Sequence, residues 1–386
     1  MLNCVVDGNQ LYTILFNMKN KVCFFNQSPI HYRKAIYELM GSELHVDFFF
    51  GDSRPGGIKP YDTTNLKNKV TILHNVNIGP FYWQKGALKL LRSEYTDIIT
   101  PGDINCLSTW LIIVLSKLYK KNVYTWTHGA YGKEGFFRRA AIRFRVKCVK
   151  GVFLYGNYAK NVLIKYGVDV SKLYVIYNSL NYDEQIELRK TISISDKYQV
   201  HFCNDFKNII FIGRLTRVKK LDMILSALFL LKKRGVYFNL TYIGDGVERD
   251  NLENMANSLE LNNVWFYGPC YDEKELAEMI YNADLCVSPG NVGLTAMHSM
   301  VFGTPVISHC NFVMQMPEVE AIEDGLTGSF FEENNITALA SSIENWFVHN
   351  NNNRELIREN CYKVIDEKFN PHVQIEIIKK ALKWEQ

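Results

Sequence analysis

The sequence of 386 residues predicts an α/β protein made of two parallel-sheet domains facing each other across a cleft. Three observations carry that expectation. Short apolar strands alternate with helices of period 3.6 along the chain. The alternation stops at a polar stretch, residues 183–208, and then starts afresh. The glycine- and proline-bearing motifs follow strands, where ligands of open α/β sheets sit.

Met18 opens a charged lead-in to the first strand, KVCFFN. Residues 1–17 have no basic leader and no long apolar core, and they read as an extension before the fold. Further strands are expected at LHVDFFF, TILHNV (71–76), TDIITPGD, NVYTWTHG, GVFLYG and KLYVIYN. After the polar stretch come NIIFIGRL, FNLTYIGDG, VWFYGP, DLCVSPG and TPVISH, separated by helical segments. The expected organisation is a Rossmann-like first domain over 18–183 and a second over 184–370. The amphipathic end, 371–386, is expected to pack back on the first domain.

Composition narrows the function classes. Hydrophobic residues are 47% and charged residues 22%, the balance of a soluble globular chain. The longest apolar run, LSTWLIIVL (107–115), is too short to span a bilayer. Nine cysteines, dispersed and without a CxxC pair, read as reduced thiols in a cytoplasmic protein with no disulfide framework and no structural metal. Residues 1–185 hold 24 Lys+Arg against 13 Asp+Glu, so the first half is expected to face something anionic. Residues 133–150 alone hold seven basic residues and one acid, and Phe137, Ala141, Phe144 and Cys148 share a helical face. Such a helix can lie on an anionic membrane, which would place the protein peripherally on the inner leaflet; it can equally be a packed helix with a solvated basic side. No nucleic-acid motif accompanies the charge, so no nucleic-acid partner is expected.

Three motifs point to chemistry. FIGRLTRVKK ends a strand with Gly213, then Arg214, then Lys219. A guanidinium fork and an ammonium suit a diphosphate, and a solvated basic helix start is the alternative. YIGDGVERDNL lacks the third glycine of a dinucleotide fingerprint, so Gly244 and Gly246 read as a tight turn. SPGNVGLTAMHSMVFGTPVISH (288–309) has no acid, lysine or arginine. Its loop feeds a helix start at Gly293, where free N–H groups and the dipole bind phosphate through the backbone.

These segments, in the order IIFIGRLTRVKKLDMIL, LTYIGDG, ADLCVSPGNVGLTAMHSMVFGTPVI and EDGLTG, resemble family-4 glycosyltransferases of the GT-B fold. SPIHYR, WTHG and KLYVIYNSL agree in the first half, so the resemblance covers roughly residues 18–386. It implies transfer of a sugar from a nucleotide-diphosphate donor (UDP- or GDP-linked) with retention at the anomeric carbon. It implies that Arg214 and Lys219 bind the diphosphate and neutralise the leaving group, beside Gly213. The loop and helix start, Asn291, Gly293, Leu294 and Thr295, would meet the same phosphates, Cys270 the nucleobase, and His128 the donor sugar from across the cleft. His31, Tyr32 and Arg33 are acceptor-side candidates.

The family usually sets a glutamate, seven residues, then a second glutamate across this loop and helix. Here those positions are Gly290 and His298, with Glu318 or Glu320 as candidate replacements. His298 is expected to read a ribose hydroxyl, since a neutral imidazole both donates and accepts. No two aspartates stand two apart, so no metal and no cofactor is expected. The sequence therefore reads as a metal-independent hexosyltransferase acting on a glycan or lipid-linked acceptor in surface polysaccharide synthesis. A catalytically silent sugar-nucleotide-binding protein and a nucleotide-sugar epimerase are the alternatives.

Overall fold

The computed structural model describes residues 20–52, 60–350 and 353–384; the extension expected at 1–17 lies outside them. Its first sheet has seven parallel strands: β1 (Val22–Asn26), β2 (Asp47–Gly51), β3 (Val70–Leu73), β6 (Asp97–Pro101), β7 (Asn122–Thr127), β8 (Gly151–Leu154) and β9 (Leu173–Val175). Their order across the sheet is β3-β2-β1-β6-β7-β8-β9. Between β3 and β6 lies an antiparallel hairpin, β4 (Asn75–Ile78) and β5 (Phe81–Gln84). The second sheet runs β12-β11-β10-β13-β14-β15. Its strands are β10 (Lys207–Ile212), β11 (Phe238–Ile243), β12 (Val264–Gly268), β13 (Leu285–Ser288), β14 (Val306–His309) and β15 (Gly328–Phe331).

Central strands are apolar on both faces because helices cover both faces. All five residues of β1 are buried. Its odd-facing residues, Cys23 and Phe25, join Ile98, Val123 and Leu154 under the helices that follow β6 to β8. Phe24, Phe48, Phe50, Trp126 and Phe153 fill the other face, with Phe48 and Phe50 stacked. The helix Pro371–Leu382 closes that face through Ile375, Ile378 and Leu382. It starts on Asn370, whose side chain accepts the Val373 amide, and Pro371 takes the first helical position. Tyr124 Oη reaches the Ala381 carbonyl at 3.2 Å, which fixes the far end.

Two elements escape the sequence pattern. TILHNV does not run as one strand: Asp52 accepts the Asn75 amide at 2.8 Å and meets His74 Nδ1 at 2.7 Å, breaking the run into β3 and β4. Strand β15 has four residues, too few to show an alternation.

Strand order reverses between β1 and β6 in one sheet and between β10 and β13 in the other. The crevices of the two domains therefore open at Asn26 and Pro101, and at Gly213 and Pro289. A single-turn 3-10 segment, Pro317–Ala321, joins the facing sides. Glu320 accepts the amides of Asn157 and Tyr158 at 2.7 and 2.6 Å, so a carboxylate of one domain caps the helix Asn157–Lys165 of the other. Glu320→Ala should remove a cap worth about 1–2 kcal/mol. The expected result is a lower melting temperature with faster hydrogen exchange confined to Asn157, Tyr158 and their neighbours. Unchanged exchange there would show that the cap does not bind the domains together.

Candidate active site

On the second domain, β10 ends at Gly213, whose amide donates to the Ile243 carbonyl at 2.9 Å. Arg214 follows, exposed, with no hydrogen bond or ion pair to its guanidinium among the described residues. The turn Arg217–Lys219 then carries Lys219 inward. Its ammonium donates to the carbonyls of Asn291 at 2.7 Å and Val292 at 3.3 Å. Burial draws its pKa down to about 8; Glu318 opposes that shift and Arg214 adds to it.

The loop that receives Lys219 is shaped by glycines for two different reasons. A Cβ on Gly290 would stand 2.1 Å from the Val218 carbonyl oxygen, so the loop lies directly on the turn. That is why the glutamate the resemblance leads one to expect there has no room. Gly293 has φ +55° and ψ −146°, a conformation that costs any other residue, and it caps the helix Leu294–Val301. The amides of Gly293, Leu294 and Thr295 have no intrahelical acceptor and take none elsewhere among the described residues. The Thr295 hydroxyl is spent on the Ile212 carbonyl at 2.9 Å, tying the helix to β10. Gln315 holds the loop from behind: it accepts the Val292 amide at 2.9 Å and donates to the His309 carbonyl at 3.1 Å. Nothing in sequence spacing marks Gln315, which lies 23 residues beyond the amide it holds.

One turn into that helix, the His298 Nε2 atom meets Glu273 Oε1 at 3.0 Å. Gln185 donates to the same oxygen at 2.7 Å. Burial would raise the Glu273 pKa, yet the His298 charge and these hydrogen bonds hold it below the usual value. His298 is thus not a lone imidazole: it orients a carboxylate whose second oxygen is left open. Cys270 lies just before, with Sγ 3.5 Å from Glu275 Oε2, and burial lifts its thiol pKa. Glu273 was missed because it looks like an ordinary acidic helix start, behind the Asp272 cap.

On the first domain, His128 follows β7. Its Nδ1 is buried with no partner among the described residues, and its ring lies 4.7 Å from that of Tyr155. Burial, aided by the Arg33 charge, pushes its pKa down to about 4, so the imidazole is neutral at pH 7. Arg33 donates to Tyr155 Oη and stands 5.4 Å from the Trp126 ring centre. A cavity of about 510 Å³ opens beside them at the ends of β1, β6 and β7. Arg33 and His128 line it, whereas His31 and Tyr32 do not. Glu318, from the second domain, is buried against the first: Asn178 Nδ2 donates to its Oε1 at 2.7 Å, and Oε2 has no partner among the described residues. Burial raises its pKa, against the pull of Asn178, Lys219 and Arg33.

Lys219 lies near Arg214 and Glu318, and Glu318 in turn feels the charge of Arg33, the neighbour of His128 on the other domain. Among the described residues, no group of three or more His, Cys, Asp or Glu is placed to hold a metal ion.

Residues 195–364 match the family model described as "Glycosyl transferases group 1". A Klebsiella pneumoniae protein, described as an uncharacterized 41.2 kDa protein in the cps region, is 27% identical over 80% of this chain and 78% of its own. A glycosyltransferase from Rickettsia africae superposes with a TM-score of 0.71 at 17% identity, covering 95% of this chain and all (100%) of its own. Anabaena HepE in complex with UDP superposes at 0.69 and 17% identity, over 94% of this chain and 99% of its own. The chain therefore has the GT-B glycosyltransferase fold, and its residues 195–364 are the part that matches the group 1 glycosyl transferases.

Proposed function

We propose that the protein is a retaining, metal-independent glycosyltransferase of family 4. In this reading it moves a hexosyl group from a nucleotide-diphosphate sugar to a glycan or lipid-linked acceptor in surface polysaccharide synthesis. One observation carries the reading: an exposed arginine, a half-buried lysine and three open helix-start amides lie on one side of a cleft whose other side presents a neutral histidine. Cations and amides there would hold the diphosphate and take up the charge that develops as it leaves. UDP in the Anabaena relative supports a uridine donor, and the cps setting of the Klebsiella relative supports the polysaccharide role.

Within this reading each residue has a task. Arg214 contacts the diphosphate as a fork, and Lys219 as a point charge fixed by Asn291 and Val292. Glu273, oriented by His298, accepts a hydrogen bond from a ribose hydroxyl. That arrangement brings a carboxylate to the helix although position 298 is not acidic.

The central test is transfer from UDP- and GDP-sugars in the presence of a chelator, with the product anomer assigned by NMR. Retained stereochemistry and full activity with chelator are expected; inversion, or activity restored only by magnesium, would overturn the reading. Arg214→Ala and Lys219→Met should each weaken UDP by about 1.5–3 kcal/mol, the range for hydrogen bonds to charged groups. Because the Lys219 pKa is lowered to about 8, its charge is lost as pH rises through that value. Wild-type UDP affinity should therefore fall above pH 8, and Lys219→Met should lack that fall.

His128→Ala should cut turnover far more than UDP affinity, the pattern of a contact made mainly in the transition state. Wild-type turnover would reduce His128 to a strand-end residue.

The membrane reading gains support from the helix Phe136–Cys148, on which Phe136 and Phe137 are 80% and 87% exposed beside Arg138, Arg139 and Arg143. Among the described residues no helix is long and apolar enough to cross a membrane. Sedimentation with anionic vesicles should weaken with salt and with Phe136→Ser/Phe137→Ser. Equal binding to neutral vesicles, or none to either, would leave a packed helix.

A further inference from the structure

We infer that the cavity at the ends of β1, β6 and β7 receives a phosphate or diphosphate group carried by the acceptor. This rests on the glycosyltransferase reading and adds the chemical class of its second substrate. Three arginines line the cavity, Arg33, Arg138 and Arg145, against one acidic residue, Asp103. Among the described residues the arginines that form ion pairs are Arg189, Arg234, Arg249 and Arg358, none of them in this cavity. Asp103 is itself engaged, accepting the Asn105 amide at 2.9 Å.

Arg145 makes the case strongest. It is 6% exposed and stands 4.7 Å from the Trp110 ring centre. One nitrogen, Nη1, donates to the Gly102 carbonyl, while Nε and Nη2 have no partner. Arg33 Nε meets no acceptor in hydrogen-bond geometry among the described residues, although the Tyr37 hydroxyl stands beside the guanidinium. Buried polar groups are almost always satisfied, and an ionised one left bare is the most costly kind. Bracing the loop after β6 accounts for a single hydrogen bond of Arg145 and for nothing at Arg138. An anion accounts for Arg138 and Arg145 together, while Arg33 is held on one side by Tyr37 and Tyr155. Burial also draws the Arg145 pKa down to about 10, with Asp103 opposing it, which an incoming anion would reverse.

Charge selects the anion. Three cations and one carboxylate leave two positive charges, and a phosphate ester carries about −1.5 to −2 at neutral pH. The guanidinium fork matches its oxygens in pairs. Arg138 and Arg145 belong to the helix Phe136–Cys148, whose exposed phenylalanines offer a lipid-facing surface next to the cavity. Two sources share the chemistry: a glycan joined to a lipid by a diphosphate, and a soluble sugar phosphate.

The test begins by saturating the protein with UDP, so that the donor site is filled. Inorganic pyrophosphate is then titrated by calorimetry. Binding is expected to persist over bound UDP and to weaken at least tenfold in Arg138→Ala and in Arg145→Gln. No binding to the UDP-filled protein, or equal affinity in both variants, would overturn the assignment. Should Arg145→Gln fail to fold, because Arg145 also braces Gly102, the exposed Arg138 still decides. Geranyl diphosphate binding tighter than glucose 1-phosphate supports the lipid source, and the reverse order supports the soluble one; failure of both to bind counts against the phosphate site. Failure of UDP itself to bind would instead remove the donor reading on which the inference stands.

Discussion

The Lys219 ammonium, bound to the carbonyls of Asn291 and Val292, is the contact on which the second domain's side of the cleft depends. It joins the turn after β10 to the loop after β13, the two strands that flank the point of reversed order. Gly290 lies against the same turn with no space for a side chain, so turn and loop form one packed unit. The helix start at Gly293 is placed by that unit, and Gln315 fixes it from the opposite side. A charge that burial disfavours is thus held beside a helix start with open amides, with two acceptors among the described residues.

How much of this could be read from sequence differs between the halves. The glycines and the Arg–Lys spacing after β10 are local: they follow one strand and define one turn, and residues 213–219 name them directly. The same holds for the helix start at 293. His128 was legible only as a strand end before glycine; its neutral state comes from burial against Tyr155 and the charge of Arg33, ninety-five positions away in sequence (33 to 128). The fold class followed from the alternation of strands and helices, whereas the hairpin β4–β5 did not, because Asp52 breaks the apolar run at His74.

Position 298 shows why a motif and its chemistry can part company. Sequence comparison sees a histidine where an acid is usual and expects an imidazole to act alone. In space the acid is present, carried by the neighbouring helix as Glu273 and steadied by Gln185. The pairing joins residues twenty-five apart, across a strand and a loop, and no helical or strand period connects them. Glu318 is similar: its sequence setting, QMPEVEAI, says nothing of the Asn178 amide or of the cations on either side.

The return of the last helix to the first domain has a mechanical consequence. The polypeptide passes between domains near Tyr177–Tyr182 and again near Phe369–Pro371, and the rings of Tyr177 and Phe369 lie 4.9 Å apart, tilted by 52°. Gln374 ties the passages together, donating to the Tyr177 carbonyl at 2.8 Å and accepting from Ser179 Oγ at 2.6 Å. A single tether would let one domain swivel freely about it. Two tethers fastened side by side behave as a door hinge, which resists twisting and shearing and leaves bending as the soft coordinate. Any opening of the cleft is thereby confined to one arc, along which His128 and the Arg214–Lys219 turn keep a fixed alignment.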